Sequence, residues 1–567
     1  MFRMGGPMHR SFLLAGVSLS ALILTATLVR ADGYQPRYAG PPPFSWTGLY
    51  IGTNEGGAIG RSNVHDPFGP SIFGDTVTAP GGVAGVQLGY NIQSGRTVYG
   101  VDATVDWADL DGTNTCLAFS GFYVSANCRA RTNAFGTVTG RLGWLVGGSA
   151  QTLLYAKAGA AWEHGSLRIE NGNQFFGFQQ DLANTTSFTK WGWTVGGGVE
   201  HALTPAWSVR AEYAFLDFGD VNAAFPRSVF FPPLSIVPGG TTSVSNQIHA
   251  FTVGVSYKFG ADGAFSTIEP SHGSIKDHVV GRRVAGLEFE GGARYWYSTG
   301  KFQWDNKAPD GFIESRLTYD DLKAHSGELF ARVDTPWNVF LKGNVGLGTI
   351  NSGKMNDEDW GIFGAISYSN TLSHEDSGKI GYATVDVGYD LLRGRDYKIG
   401  PFIGYTYYTQ RSDSTGCVQI ANPLFPCLAP GDNRLIGTQD TEWDALRIGG
   451  AAQFALGYGF RLVTDAAYLP SVGFTGRDNH LLRPTTTFFD QTGKNGQGVQ
   501  IEAILNYDVT QRFSLGVGAR YWAMWADGDF TCTGCGGPGV VFGPSPERVS
   551  AERYGLLLQG SYKFDSQ

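Results

Sequence analysis

The sequence predicts an all-β protein built as two tandem transmembrane antiparallel β-barrels, of about eight strands and then about ten. Three observations lead there. Apolar and polar residues alternate over long stretches, as a strand with one apolar and one polar face requires. The connections between these stretches alternate short and long, the rhythm of a barrel with tight turns at one end and large loops at the other. A strand ending in Ser-Tyr-Lys-Phe occurs twice, at Phe259 and again at Phe564.

Composition supports the same class. Gly accounts for 81 of 567 residues, roughly twice ordinary usage. Charged residues are only 16% and aromatics 13%. That excludes a disordered chain, which lacks aromatics, and argues against an ordinary cytosolic helical enzyme. The net charge of -8 leaves no basic footprint for nucleic acid.

Arg3 and Arg10 precede an apolar run from Ser11 to Val29, and Val29-Arg30-Ala31 ends it like a cleavage site. This predicts a secretory signal peptide over 1–31, followed by a Pro-rich leader over 32–45. No later stretch reaches the ~18 apolar residues of a helical span, so a membrane location demands closed barrels.

Eight strands fall at about 46–58, 82–93, 96–107, 132–144, 151–164, 189–202, 205–217 and 246–259. In the fifth, Leu154, Ala156, Ala158, Ala160 and Trp162 form an apolar face opposite Tyr155, Lys157 and Glu163. A polar linker, 260–282, follows the first Ser-Tyr-Lys-Phe. Ten strands then fall at about 283–302, 313–333, 337–350, 378–392, 397–411, 440–457, 460–474, 496–508, 511–525 and 550–564. In the ninth, Phe513, Leu515, Val517, Ala519, Tyr521, Ala523 and Trp525 share one face. One barrel of about eighteen strands is the competing arrangement.

Six cysteines form three local pairs, Cys116 with Cys128, Cys417 with Cys427, and Cys532 with Cys535. An even count at short local spacing in an exported chain predicts loop-stapling disulfides. For Cys532 and Cys535, half a metal site or a redox motif is the alternative, although no further Cys or His lies nearby. No metal-ligand spacing appears elsewhere.

The chemistry concentrates in the second half. One long loop holds Asp357-Glu-Asp359-Trp360, and another holds Gly476-Arg477-Asp478-Asn-His480. A carboxylate beside an imidazole orients the ring and stabilises its charged form, so the histidine serves as general base. A facing carboxylate pair holds water and shifts its own proton affinity. Both motifs belong to one rim, where they converge across the mouth. His374, in Ser373-His-Glu-Asp376, reads as loop surface or substrate-facing rim.

Residues 46–259 resemble small eight-stranded outer-membrane proteins of the immunogenic, opacity porin-like type. The likeness rests on Pro41-Pro42-Pro43-Phe44-Ser45-Trp46-Thr47-Gly48-Leu49-Tyr50-Ile51-Gly52 and on the closing strand. It implies a Gram-negative outer membrane and an anchoring or surface-interaction role. Residues 283–564 resemble the omptin family of outer-membrane proteases. Asp357-Glu-Asp359-Trp360 matches that family's Asp-x-Asp-Trp, and Asp478-Asn-His480 its Asp-x-His. Ser315-Arg-Leu317-Thr-Tyr319, Tyr382-Ala-Thr-Val-Asp386 and Gly388-Tyr-Asp-Leu-Leu392 agree as well.

By this resemblance, Asp478 and His480 activate a water while Asp357 and Asp359 complete its binding. Peptides or proteins are the substrates, and lipid and lipopolysaccharide are partners; a non-catalytic porin-like or adhesin-like outer-membrane protein is the alternative. Lipopolysaccharide is an activator, and no other cofactor is implied. Trp304, Asp305, Gly476 and Arg477 are the positions expected near the substrate pocket. Family members that cut between basic residues carry an acid where this chain has Gly476, and another near Trp304 and Asp305. The different residues here, with Arg477 and Arg483 beside the site, set the basic preference aside.

Overall fold

The computed structural model describes residues 44–565, except 68, 70–73, 118–125, 147–149, 172–173, 176–177, 180–181, 231–234, 261–286, 309–312, 363–365, 395, 422–426, 428–432 and 484. The expected signal peptide, leader and linker lie outside the described residues, apart from Phe44, Ser45 and Gly260.

Eighteen long strands carry the fold. The first eight are β1 (Gly48–Val64), β2 (Thr76–Ser94), β3 (Thr97–Cys116), β4 (Ala126–Val146), β5 (Thr152–Asn171), β6 (Leu182–Ala202), β7 (Trp207–Phe225) and β8 (Gly240–Lys258). Each pairs antiparallel with its neighbours, and β1 pairs with β8, so the eight close on themselves. The next ten are β9 (Glu288–Lys307), β10 (Ile313–Asp334), β11 (Val339–Ile362), β12 (Ile366–Tyr389), β13 (Tyr397–Ala421), β14 (Leu435–Gly457), β15 (Phe460–His480), β16 (Thr487–Asp508), β17 (Phe513–Thr533) and β18 (Val541–Asp565). Here β9 pairs with both β10 and β18, which closes a second ring. Two closed barrels replace the alternative of one large one.

Side-chain parity sorts each barrel into a lipid face and a filled interior. On β5, Ala156, Ala158 and Ala160 face out while Lys157 and Glu163 are buried inside. Trp107, Trp144, Trp191, Trp193 and Trp207 stand on the outer face of the first barrel, suited to the headgroup level of a membrane. Inside it, Arg141 pairs with Glu200 at 2.7 Å and Lys157 with Glu212 at 2.6 Å. The second barrel is plugged by Arg294, Glu328, Glu502 and Arg520. Above them lies an aromatic layer of Trp296, Tyr382, Tyr408 and Trp522.

The strands outrun the sequence expectation. β11 has 24 residues and β15 has 21, whereas a tilted strand crosses lipid in about 9–11. The lipid-facing run on β11 is Leu341, Val345 and Leu347, all exposed. Beyond it the outward residues turn polar, but the ladder continues as a two-sided wall above the membrane. The motifs expected in loops therefore sit on paired strands. The same extension carries β3 to Cys116 and starts β4 at Ala126.

The two barrels touch along their sides. Gly57 and Ile59 of β1 face Val499, Tyr521 and Ala523. A Cβ on Gly57 would sit 3.1 Å from Val499 Cγ1, so glycine permits the close approach. This contact also explains why Tyr521 and Ala523 are buried although they share the lipid-facing side of β17.

Candidate active site at the mouth of the second barrel

Asp357 and Asp359 occupy alternate positions on β11, where they pair in register with Leu317 and Ser315 of β10. Leu317 belongs to the interior cluster, and cross-strand partners share a face. Both carboxylates therefore point into the barrel. Glu358, between them, points out. Asp478 and His480 occupy alternate positions on β15, opposite Phe489 and Thr487 of β16. Three strands separate β11 from β15 on one side of the ring and five on the other, so the two pairs face each other across the mouth.

His480 Nε2 lies 2.9 Å from Asp478 Oδ2. A carboxylate only accepts, so Nε2 carries the hydrogen and Nδ1 keeps the lone pair. Phe489 packs on the imidazole with ring centroids 5.2 Å apart. Asp478 is 3% exposed.

The opposing acids perturb one another. Burial, then the charges of Asp359 and Asp478, pushes Asp357 well above the usual carboxylate range. Burial also raises Asp359, against a hydrogen bond from Ser315 and the nearby His480. Two acids forced together retain a proton between them at a pH where isolated carboxyls have lost theirs.

Two further carboxyls share this space and were missed in the sequence. Glu375 of β12 accepts from Ser414 Oγ, and burial pushes it up to about 8. Glu547 of β18 is pushed well above its ordinary value by burial. Trp304 Nε1 donates to Gln439 Oε1 at 3.1 Å, Gln439 Nε2 to Gln491 Oε1 at 2.9 Å, and Gln491 Nε2 to Glu547 Oε1 at 2.5 Å.

The expected pocket positions divide by parity. Trp304 lies in the interior cluster. Gly476 faces inward too, where a Cβ would meet Gln491 Oε1 and Phe474 Cζ, each at 2.7 Å. Asp305, one step past Trp304, points to the outer wall and pairs with Arg316 at 2.7 Å. Arg477, between Gly476 and Asp478, also points out, to Asp490 at 2.7 Å and over the Phe488 ring. The period of two denies both a place in the pocket. His374 is exposed on the outer side of β12, away from the mouth.

All three cysteine pairs are bonded, with Cα–Cα distances of 5.8, 5.9 and 5.9 Å. Cys116, Cys128, Cys417 and Cys532 lie on strands near their outer ends, whereas Cys427 and Cys535 lie beyond the strand ends, so the last two pairs tie a strand to the segment that follows it. Among the described residues no cluster of three His, Cys, Asp or Glu is arranged to hold a metal.

Two closed barrels with apolar outer belts define an integral outer-membrane β-barrel protein, and sequence comparison agrees. Residues 39–259 match the outer membrane protein beta-barrel domain. Residues 313–529 match the Omptin family, so the chain carries an outer-membrane β-barrel domain followed by an omptin domain. The first half is 29% identical over 259 residues to the 31 kDa outer-membrane immunogenic protein of Brucella melitensis biotype 1, covering 44% of this chain and 100% of that protein. It is 30% identical over 214 residues to the 22 kDa outer membrane protein of Rhizobium leguminosarum bv. viciae, covering 38% and 83%. Among solved structures, the outer membrane protease OmpT from Escherichia coli aligns at 13% identity and a TM-score of 0.41, covering 49% of this chain and 97% of that one. The omptin domain supports an outer-membrane protease.

Proposed function

We propose that this protein is a surface endopeptidase whose second barrel hydrolyses peptide bonds with an activated water. The convergence of the Asp478–His480 pair and the Asp357–Asp359 pair on one aqueous mouth supports this reading. His480, held through Nε2, offers the Nδ1 lone pair to the water. Proton transfer to Nδ1 leaves hydroxide-like oxygen to attack the peptide carbonyl, while Asp478 stabilises the imidazolium. Asp357 and Asp359, with a proton between them, hold the same water from the other side and offer a hydrogen-bond donor to the growing oxyanion. The imidazolium then returns its proton to the leaving amine, and the C–N bond breaks. No Ser or Cys nucleophile enters the scheme.

Lipopolysaccharide is the proposed activator, and a peptide or protein outside the cell the substrate. Glu375 and Glu547 add two further carboxyl groups, held by Ser414 and Gln491, to the lining of the mouth beside the glycine at 476. The test is cleavage of a mixed-sequence peptide library by the refolded protein with lipopolysaccharide, read by mass spectrometry. Cleavage abolished in both H480A and D357A is the expected result. An intact fold with no cleavage by the unaltered protein would instead mark a non-catalytic surface barrel.

A further inference from the structure

On the outer wall of the second barrel, one row of charges crosses four neighbouring strands at the height of the acid pair. Arg548 of β18 is the register partner of Asp305 of β9, Asp305 of Arg316 of β10, and Arg316 of Glu358 of β11. Signs alternate along the row, and Asp305, Arg316 and Glu358 are at most 1% exposed. Such a row would be wet on an isolated barrel. Burial without partners would leave each charge stripped of water and uncompensated.

The first barrel supplies the partners. Strand β3 lies across the row and presents Asp111, Thr113 and Thr115, alternate residues of one face. Arg548 Nη1 donates to Asp111 Oδ2 at 3.4 Å. Thr113 Oγ1 donates to Asp305 Oδ2 at 2.8 Å. Arg316 donates to Thr115 Oγ1 at 2.8 Å and to Asn127 Oδ1 at 2.7 Å. Thr115 Oγ1 in turn donates to Glu358 Oε2, and Tyr368 donates to Glu358 Oε1 at 2.7 Å. A hydroxyl has one proton and spare lone pairs; Thr115 gives the proton to Glu358 and a lone pair to Arg316.

Thr115 and Asn127 are register partners across the β3–β4 hairpin, and the Cys116–Cys128 disulfide joins the residues that follow them. The clamp is therefore a stapled unit. Glu358, which it grips, lies between Asp357 and Asp359 on one extended strand. Rotation or sliding of that strand moves both inward carboxylates at once.

Building on the protease reading, we propose that the first barrel positions the catalytic acids of the second: the stapled β3–β4 hairpin grips Arg316 and Glu358 and thereby sets where Asp357 and Asp359 stand opposite Asp478 and His480. Thr115 and Asn127 are positioning residues supplied by the other barrel. The fusion is then a functional requirement, not only a second anchor.

The test uses the full chain refolded with lipopolysaccharide, with T115V, T115V/N127L and T115S variants, and H480A as the catalytic control. kcat and KM are measured on one peptide chosen from the library, and backbone hydrogen exchange is followed at 355–359. A misplacement of reacting groups by about 1 Å costs on the order of a hundredfold. T115V/N127L is expected to lose about ten- to a hundredfold in kcat with KM unchanged. Exchange at 355–359 should quicken, and T115S should restore both readouts. A T115V/N127L protein with wild-type kcat, while H480A is inactive, overturns the positioning role and leaves the protease reading standing. If the unaltered protein does not cleave, the protease reading fails and the positioning role fails with it. Unchanged exchange in T115V/N127L would show that the hairpin does not hold this strand at all.

Discussion

Replacing His480 by alanine removes the only base in the proposed scheme. The imidazole is held at 2.9 Å by a carboxylate that is 3% exposed, so nothing mobile stands ready to substitute. A positioned general base contributes about 10²–10⁴ in rate. At 1.36 kcal/mol per tenfold, that is about 2.7–5.4 kcal/mol of barrier. H480A should lose that factor in kcat, while KM changes little because Asp357, Glu375 and the walls remain. D478N keeps a hydrogen bond to the ring but loses stabilisation of the imidazolium, so it should fall nearly as far. The double variant should then be scarcely worse than either single one, because the two groups act as a unit. The assay is steady-state cleavage of a defined peptide, with the folded state checked by heat-modifiable gel migration. An H480A protein within about tenfold of wild-type kcat would refute the assignment of the base.

Other outcomes follow from the same geometry. Glu375 titrates near 8 in the folded protein against 4.5 ordinarily, so folding takes up a proton and stability falls as pH rises from 4.5 to 8. E375Q should therefore raise the unfolding temperature more at pH 9 than at pH 5, and an equal change at both would contradict it. Removing the Cys116–Cys128 bond by C116S/C128S should cost about 2–4 kcal/mol, seen as a lower urea midpoint; no shift would mean the hairpin needs no staple. Arg477 is 53% exposed in its pair with Asp490, and such pairs contribute about 0–1 kcal/mol. R477A should keep kcat/KM within about twofold, whereas a large loss would return Arg477 to the pocket.

Much of this fold was legible in the sequence because a barrel wall in lipid obeys a strict rule. Alternation from Phe513 to Trp525 marks a strand whose two faces meet opposite solvents. Above the membrane both faces meet polar surroundings and the rule weakens. That is why the segments around Asp357 and Asp478 read as loops and prove to be paired strands. Parity then separates neighbours that sequence proximity joins: Trp304 from Asp305, and Gly476 from Arg477. Counting back in twos from Leu557 through Arg553 and Val549 would have placed Glu547 inside. Glu375 was harder, because an irregularity between Glu375 and Ser377 breaks the count. The partners that Asp305 and Arg316 find in the other barrel were beyond reach, since they lie about 190 or more positions away.

The interlocked ion pairs inside both barrels bear on the cell as a whole. An outer membrane protects because it sieves, and any large open lumen added to it admits bile salts, dyes and antibiotics. Arg141 with Glu200, and Arg520 with Glu328, fill the bores with side chains that hold one another in place. Side chains locked across both bores leave little room for a water-filled channel, so each copy adds surface to the membrane without adding a wide hole.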